Sequence, residues 1–245
     1  MTRTCASVVL MTLLASMFGL NGPLQSAEPE QPVKITLHPA AQPTPALKYR
    51  LLPGRMDQIP GNAAVYYGKV TAEEMPFFSN RELRDNIIRW RETPLAELRR
   101  DKVHLPSDGH IEDELRRAAR CRYCDWQLPI GDVPYYEILL PELQQMREFG
   151  RILATRARLQ MADGEFDNAV KTFETGYAVG RHAAAGETLV NGLVGIAICG
   201  IMSQQVSEFI QQPNAPNLYW ALTMLPSPLI DTRDAIEVEA MSVEL

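Results

Sequence analysis

Two apolar stripes in the second half are the clearest pattern along the chain. Between Pro141 and Met161, apolar or small residues recur at steps of three and four: Leu143, Met146, Gly150, Leu153, Ala157 and Met161. That period predicts one face of an amphipathic helix of about 20 residues. A second stripe follows the break at Asp163-Gly164: Phe166, Ala169, Phe173, Tyr177 and Gly180. Because so few residues separate the stripes, the pattern predicts an antiparallel helical hairpin.

A third predicted helix begins after Thr188 and is apolar on every side from Leu189 to Met202. This apolar section covers about 14 residues, against the roughly 20 needed to cross a bilayer. The sequence therefore predicts a core helix covered on several sides rather than a membrane span. Its glycines lower helix propensity, and we expect neighbouring helices to approach closely there: Gly192, Gly195 and Gly200.

Shorter helices are predicted in the first half of the chain. Residues that commonly cap helices precede each run: Asn62, Ser79 or Asn80, Thr93 with Pro94, and Ser107 or Asp108. No alternating run is long enough to predict a strand. The last helical segment follows Ser227-Pro228 and continues to the end of the sequence without a stop signal.

These elements predict an all-α protein of antiparallel helical hairpins stacked as a short α-solenoid. We expect one helical domain over residues 49–245. Within it we predict N-terminal helices in 49–124, a loop in 125–140 and hairpins in 141–245.

The N-terminal segment has the features of a secretory signal. Arg3 is followed by an apolar stretch from Ala6 to Leu20, and a polar, small-residue segment ends at Ala27. This order predicts a signal peptide over residues 1–27, with an uncleaved anchor as the alternative. Residues 28–48 are rich in proline and predict a flexible lead. We therefore expect an exported protein, periplasmic or extracellular, with no membrane span after cleavage.

Net charge and cysteine content limit the classes of partner and of scaffold that the sequence supports. The formal net charge is −6, and removal of residues 1–27, which contain Arg3 and no acid, leaves −7. This balance gives no global electrostatic case for nucleic acid or anionic lipid. The four cysteines are too sparse for a disulfide-rich scaffold.

Motifs for catalysis are missing from the sequence. It contains no His-Glu-x-x-His, no Gly-x-Ser-x-Gly and no glycine-rich phosphate loop. We assign no catalytic residue, no metal ligand and no cofactor, and predict a non-enzymatic protein.

The pair Cys121 and Cys124 is the one candidate for chemistry. Asp125 replaces the histidine that a c-type haem site requires. Zinc would need further ligands, for which His104 and His110 are available. A redox couple, a local disulfide and two free thiols remain open, whereas Cys199 is predicted to be a small core residue.

The hairpin resembles a tetratricopeptide repeat. Matching positions are Leu153 and Ala157 in the first helix, Gly164 in the turn, and Phe166, Ala169 and Phe173 in the second helix. The chain is also similar to an uncharacterised family of exported helical proteins from planctomycete-type bacteria. The segments that carry this similarity are "PALKYRLLP", "CDWQLP", "LVNGLVGIAI" and "PNLYWALTMLPSPLID". It implies a tetratricopeptide-like architecture and an envelope setting, and it implies no activity.

The predicted function is an exported helical-repeat scaffold that binds a protein or peptide. Residues of the kind that line such a surface are Arg151, Arg158, Tyr177 and Arg181. The alternative is a thiol-redox or metal-binding protein centred on Cys121 and Cys124. A third hypothesis is a passive envelope protein without a specific partner.

Overall fold

A computed structural model describes residues 48–103, 105, 110–130, 132–133, 137–140 and 142–243. All of them belong to the unit Leu37–Leu245. The predicted signal peptide, nearly all of the proline-rich lead, and the positions of His104, Ser107 and Asp108 lie outside the described residues.

The described part of the chain is mostly helical, which confirms the all-α class. Its α-helices are α1 Ala63–Glu73, α2 Met75–Ser79, α3 Arg81–Glu92, α4 His110–Ala119, α5 Glu142–Ala162, α6 Phe166–Ala183, α7 Leu189–Phe209, α8 Tyr219–Thr223 and α9 Arg233–Val243. Two strands, β1 Ile59–Asn62 and β2 Cys121–Tyr123, form a small sheet.

Helices α5, α6 and α7 pack on one another and form the centre of the core. The turn between α5 and α6 contains Gly164 with φ +76°, a backbone conformation that glycine adopts without a steric penalty. Phe173 and Phe209 are fully buried, and their rings meet edge to face with centroids 5.5 Å apart. Leu153 and Ala157 of the first predicted stripe are also buried, and α5 packs against α6, so the two stripes face inward as one hairpin.

Helices α6 and α7 approach closely where glycines face each other. A Cβ added to Gly195 would lie 2.5 Å from the Gly180 carbonyl oxygen, so no larger residue fits without movement. At Gly192 the neighbour is Thr232, which precedes α9, whereas a Cβ at Gly200 would contact nothing within 4 Å. The prediction that neighbouring helices approach closely is confirmed at Gly195 and is wrong at Gly200, and at Gly192 the close neighbour is the side chain of Thr232 rather than a helix.

Among the described helices, α7 alone has the length and apolar composition that crossing a membrane would require. Half of its most apolar window is buried within the protein. Ile198 and Met202 are fully buried, whereas Ile196 on the opposite side is 47 % exposed. One side of α7 therefore packs into the core, and the other faces outward.

The small sheet corrects the prediction that no strands form. Strand β1 pairs in parallel with β2, and Ile59 lies opposite Cys121. The side chain of Asn62 holds this arrangement: its oxygen accepts from the amide of Ala64 at the start of α1 and from the amide of Asp125, while its Nδ2 donates to the Asp125 carbonyl. Pairing between residues so far apart in sequence leaves no periodic signal in strands this short.

Helix starts follow the predicted caps in several places. Asn62, Asn80 and Thr188 each accept a backbone hydrogen bond at the beginning of their helices. After Pro94, two short 3₁₀ turns, Leu95–Glu97 and Arg100–Lys102, replace the predicted α-helix.

Candidate functional site: a cationic groove along α6

One side of α6 borders a groove formed by two adjoining cavities. The first, of about 650 Å³, is lined by Asp167, Lys171 and Glu174 of α6. The second, of about 420 Å³, is lined further along by Ala178, Arg181, His182 and, just beyond the helix, Ala185. Pro53 and Ala119 border both cavities. At about 1.5 Å per helical residue, the groove runs for roughly 27 Å.

The opposite wall is formed by residues 48–58 and by the end of α4, and hydrogen bonds fix both. The Tyr49 hydroxyl donates to Asp167 Oδ1 over 2.7 Å and ties the segment to the start of α6. Arg120 Nε donates to the Asp57 carbonyl oxygen over 2.6 Å. Lys48 Nζ lies 3.4 Å from Asp167 Oδ2. The groove is therefore bounded by elements from three separate stretches of sequence.

Cationic side chains outnumber acids along the groove. Seven cations line the two cavities: Lys48, Arg50, Arg116, Arg120, Arg122, Lys171 and Arg181. Three acids accompany them: Asp57, Asp167 and Glu174. The difference is +4 with His182 neutral, whereas the whole chain carries −6.

Three of these cations are available to a ligand. Within the described part of the chain, no carboxylate lies within 4.0 Å of the charged groups of Lys171, Arg122 and Arg181. All three side chains belong to exposed residues. The field in the groove is consequently positive and accessible from solvent.

Glu174 is one of three acids that line the first cavity. Burial raises the pKa of its carboxyl above the ordinary value, and the charge of Asp57 adds to that rise. The guanidiniums of Arg50 and Arg120 act in the opposite direction. Among the described residues, none forms an ion pair with Glu174.

The second cavity brings Cys121, Cys124 and His182 to one wall. His182 Nδ1 lies 2.8 Å from the Tyr67 hydroxyl, and the Trp126 indole donates to the His182 carbonyl oxygen over 2.8 Å. Burial lowers the pKa of His182 to about 4. The imidazole is therefore neutral near pH 7, and no sequence pattern indicates that it would line the same cavity as the cysteine pair.

Both cysteines are buried free thiols. Burial raises the pKa of Cys121 above its ordinary value and raises that of Cys124 to about 12. Cys121 lies in extended backbone, where α-carbons three residues apart are separated by about 10 Å. A disulfide requires less than about 7 Å, so this backbone does not favour a bond between the two sulfurs.

The described residues contain no group of three His, Cys, Asp or Glu side chains arranged to hold a metal ion. His104 lies outside those residues. His110 Nε2 is 3.0 Å from Glu73 Oε2 on α1. The zinc ligand set suggested by the sequence is therefore not assembled among the described residues.

The candidate partner-binding residues do not form one surface. Tyr177 is 1 % exposed and its hydroxyl lies 3.0 Å from Ser203 Oγ. Arg158 is 5 % exposed and pairs with Glu208. Arg151 is bonded to the buried Glu148 over 2.6 Å. Of the four, only Arg181 borders the groove, which corrects the expected face.

The charge and exposure of the groove determine which kind of ligand it can bind. The groove presents several exposed cationic side chains, an arrangement suited to recognising an anionic chain. Comparison with protein-family models, with curated proteins and with solved structures finds no match to the chain.

Proposed function

We propose that this protein is an exported, non-enzymatic scaffold that binds an acidic segment of a protein or peptide along the groove beside α6. The reversal of charge carries the proposal, because a groove of +4 lies on a chain of −6. The tetratricopeptide-like stacking of α5, α6 and α7 and the envelope location belong to the same proposal. They rest on the hairpin pattern and the N-terminal sequence.

The dimensions of the groove support a polypeptide ligand. A length of roughly 27 Å accommodates about eight residues of extended chain at about 3.3 Å per residue. Apolar walls at Leu52, Pro53 and Ala178 lie beside the charged rim. Apolar and acidic side chains of the ligand would thus both find partners in the groove.

The alternative function, thiol or metal chemistry at Cys121 and Cys124, has one observation in its favour. Both sulfurs share a cavity wall with His182. The raised pKa values oppose it, because the thiolate is the reactive form and the ligand form. We therefore assign the second cavity to binding.

Titration calorimetry with short peptides tests the proposal. An eight-residue peptide rich in Asp and Glu should bind, and the same peptide with Lys at those positions should not. The double variant Arg122→Glu/Arg181→Glu should weaken binding about tenfold or more. Affinity for the acidic peptide should also fall as salt is added.

A matched control separates local from global charge. Arg99→Glu/Lys102→Glu changes the net charge equally at exposed residues outside both cavities. It should leave the affinity within about twofold, because distant exposed charges are screened. Equal weakening by both double variants, or no binding of acidic peptide, would refute the groove as the site.

A further inference from the structure

The C-terminal helix α9 exposes several of its side chains to solvent. Of its side chains with known burial, only that of Ala235 is buried, while Ile236 is 53 % and Met241 60 % exposed. The preceding Thr232 contacts Gly192 of α7 and fixes the start of the segment. Beyond that start Glu237 is exposed as well, whereas Val238 and Glu239 are half-buried.

This segment is acidic. Residues 231–243 contain four acids and one base, a net charge of −3: Asp231, Asp234, Glu237, Glu239 and Arg233. Arg233 is held by Asp231, with Nε 3.0 Å from Oδ1. Asp234, Glu237 and Met241 follow the spacing i, i+3, i+7 and so share one exposed face.

We propose that the natural occupant of the groove is segment 231–243 of a second copy of this chain. The proposal rests on the proposed function and names its partner. Charges of −3 and +4 are complementary. At about 1.5 Å per residue, the 11 residues of α9 span roughly 16 Å, which fits within the groove.

The second cavity matches the exposed face of α9 in chemistry. Asp234 and Glu237 meet Arg122 and Arg181 at the rim. Met241, on the same face of the helix, covers the apolar wall that includes Leu52 and Ala178. In a specific interface, charged and polar groups at the rim usually surround an apolar centre.

Such a contact is heterologous, because the groove and α9 are different surfaces of one chain. Repeating it joins copies head to tail, either in a closed ring or in an open chain. Association should therefore increase with protein concentration and decrease with salt.

Sedimentation velocity of the full chain and of charge-reversed variants tests this arrangement. The wild type should form species larger than a monomer as its concentration rises. The groove variant Arg122→Glu/Arg181→Glu and the segment variant Asp234→Lys/Glu237→Lys should each remain monomeric. A mixture of the two should associate again, because the acidic segment of the groove variant meets the cationic groove of the segment variant and the two reversed surfaces also carry opposite charges.

A combined variant provides the decisive control. A chain with all four substitutions restores opposite charges and should associate again, which a folding defect would not allow. A wild type that is monomeric at every concentration overturns the proposal. So does a segment variant that associates as the wild type does.

Peptide binding separates the two proposals. If acidic peptide binds while the wild type stays monomeric, the groove function stands and the second-copy partner is wrong. A monomeric wild type whose segment variant gains peptide affinity would show instead that the segment covers its own groove. Failure of both peptide binding and association would refute both proposals.

Discussion

The Tyr67 hydroxyl lies 2.8 Å from Nδ1 of His182 and joins α1 to the end of α6. Tyr67 is 2 % exposed and stacks on Trp126 with ring centroids 6.0 Å apart. The indole of Trp126 in turn donates to the His182 carbonyl oxygen. These three contacts position His182, which lines the second cavity, and the low pKa of its imidazole keeps it neutral near pH 7.

Protonation of His182 should lower the free energy of unfolding as the pH falls below 6.5. Its folded-state pKa is about 4, below the ordinary value of 6.5, so the unfolded chain takes up the proton first. The free energy of unfolding attributable to this residue is fully present above pH 6.5. It is lost as pH falls toward 4, by on the order of 3 kcal/mol at most.

Urea denaturation at pH 7, 5.5 and 4.5 measures this dependence in the wild type and in His182→Asn. The asparagine keeps an acceptor near the position of Nδ1 but does not titrate. Carboxylates titrate equally in both proteins. The difference between the two slopes of unfolding free energy against pH therefore measures the contribution of His182. Equal slopes in the two proteins would contradict the assignment of this pH dependence to His182.

The glycine contact between α6 and α7 gives a second prediction. In Gly195→Ala the new Cβ would lie 2.5 Å from the Gly180 carbonyl oxygen and 2.7 Å from Ala184 Cβ. We expect a loss of about 1–3 kcal/mol in the free energy of unfolding.

Gly200→Ala is the matched control on the same helix, because its Cβ would contact nothing within 4 Å. Replacing this helical glycine should raise stability by up to about 1 kcal/mol. Thermal denaturation of the two variants should move in opposite directions. A shift of the same sign in both would show that α7 does not contact α6 as described.

The long helices could be predicted from sequence because their signals are local. Steps of three and four between apolar residues, and caps such as Thr188, lie within each helix. The pairing of β1 with β2 could not, since it depends on Asn62 meeting Asp125 across the fold. A short strand has too few residues for its pattern to be distinctive.

The groove could not be predicted from the sequence for a related reason. Its cations come from residues 48–50, 116–122 and 171–181, three stretches far apart in sequence whose meeting along one groove no local pattern indicates. Arg158 and Tyr177 were expected at a surface, but other elements cover both of them. Periodicity shows which face of a helix is apolar, and it does not show how many neighbours the helix has.

The buried guanidinium of Arg158 pairs with the partly exposed Glu208, and loss of that carboxylate should be strongly destabilising. Arg158 also donates to Gln205 Oε1 over 3.3 Å and to the Thr93 carbonyl oxygen. Glu208→Ala would leave the guanidinium buried without its counter-charge, and we expect a loss of about 3 kcal/mol in chemical denaturation.

Asp85→Ala removes a comparable carboxylate from a solvent-exposed pair. Arg81 Nε lies 3.9 Å from Asp85 Oδ2, and both side chains are mostly exposed. This substitution should change stability by less than about 1 kcal/mol. If the two variants lose similar stability, the Arg158 contact is not buried in solution.

The thiols of Cys121 and Cys124 should react slowly in the folded protein. Both are buried, and the pKa of Cys124 is raised to about 12, so little thiolate forms near neutral pH. Labelling with N-ethylmaleimide followed by peptide mass spectrometry should show slow modification at pH 7 and little acceleration at pH 9. In denaturant both sites should react at the rate of a model thiol. Rapid labelling of either cysteine in the native state would instead favour the thiol function, because only an accessible, ionised sulfur reacts at that rate.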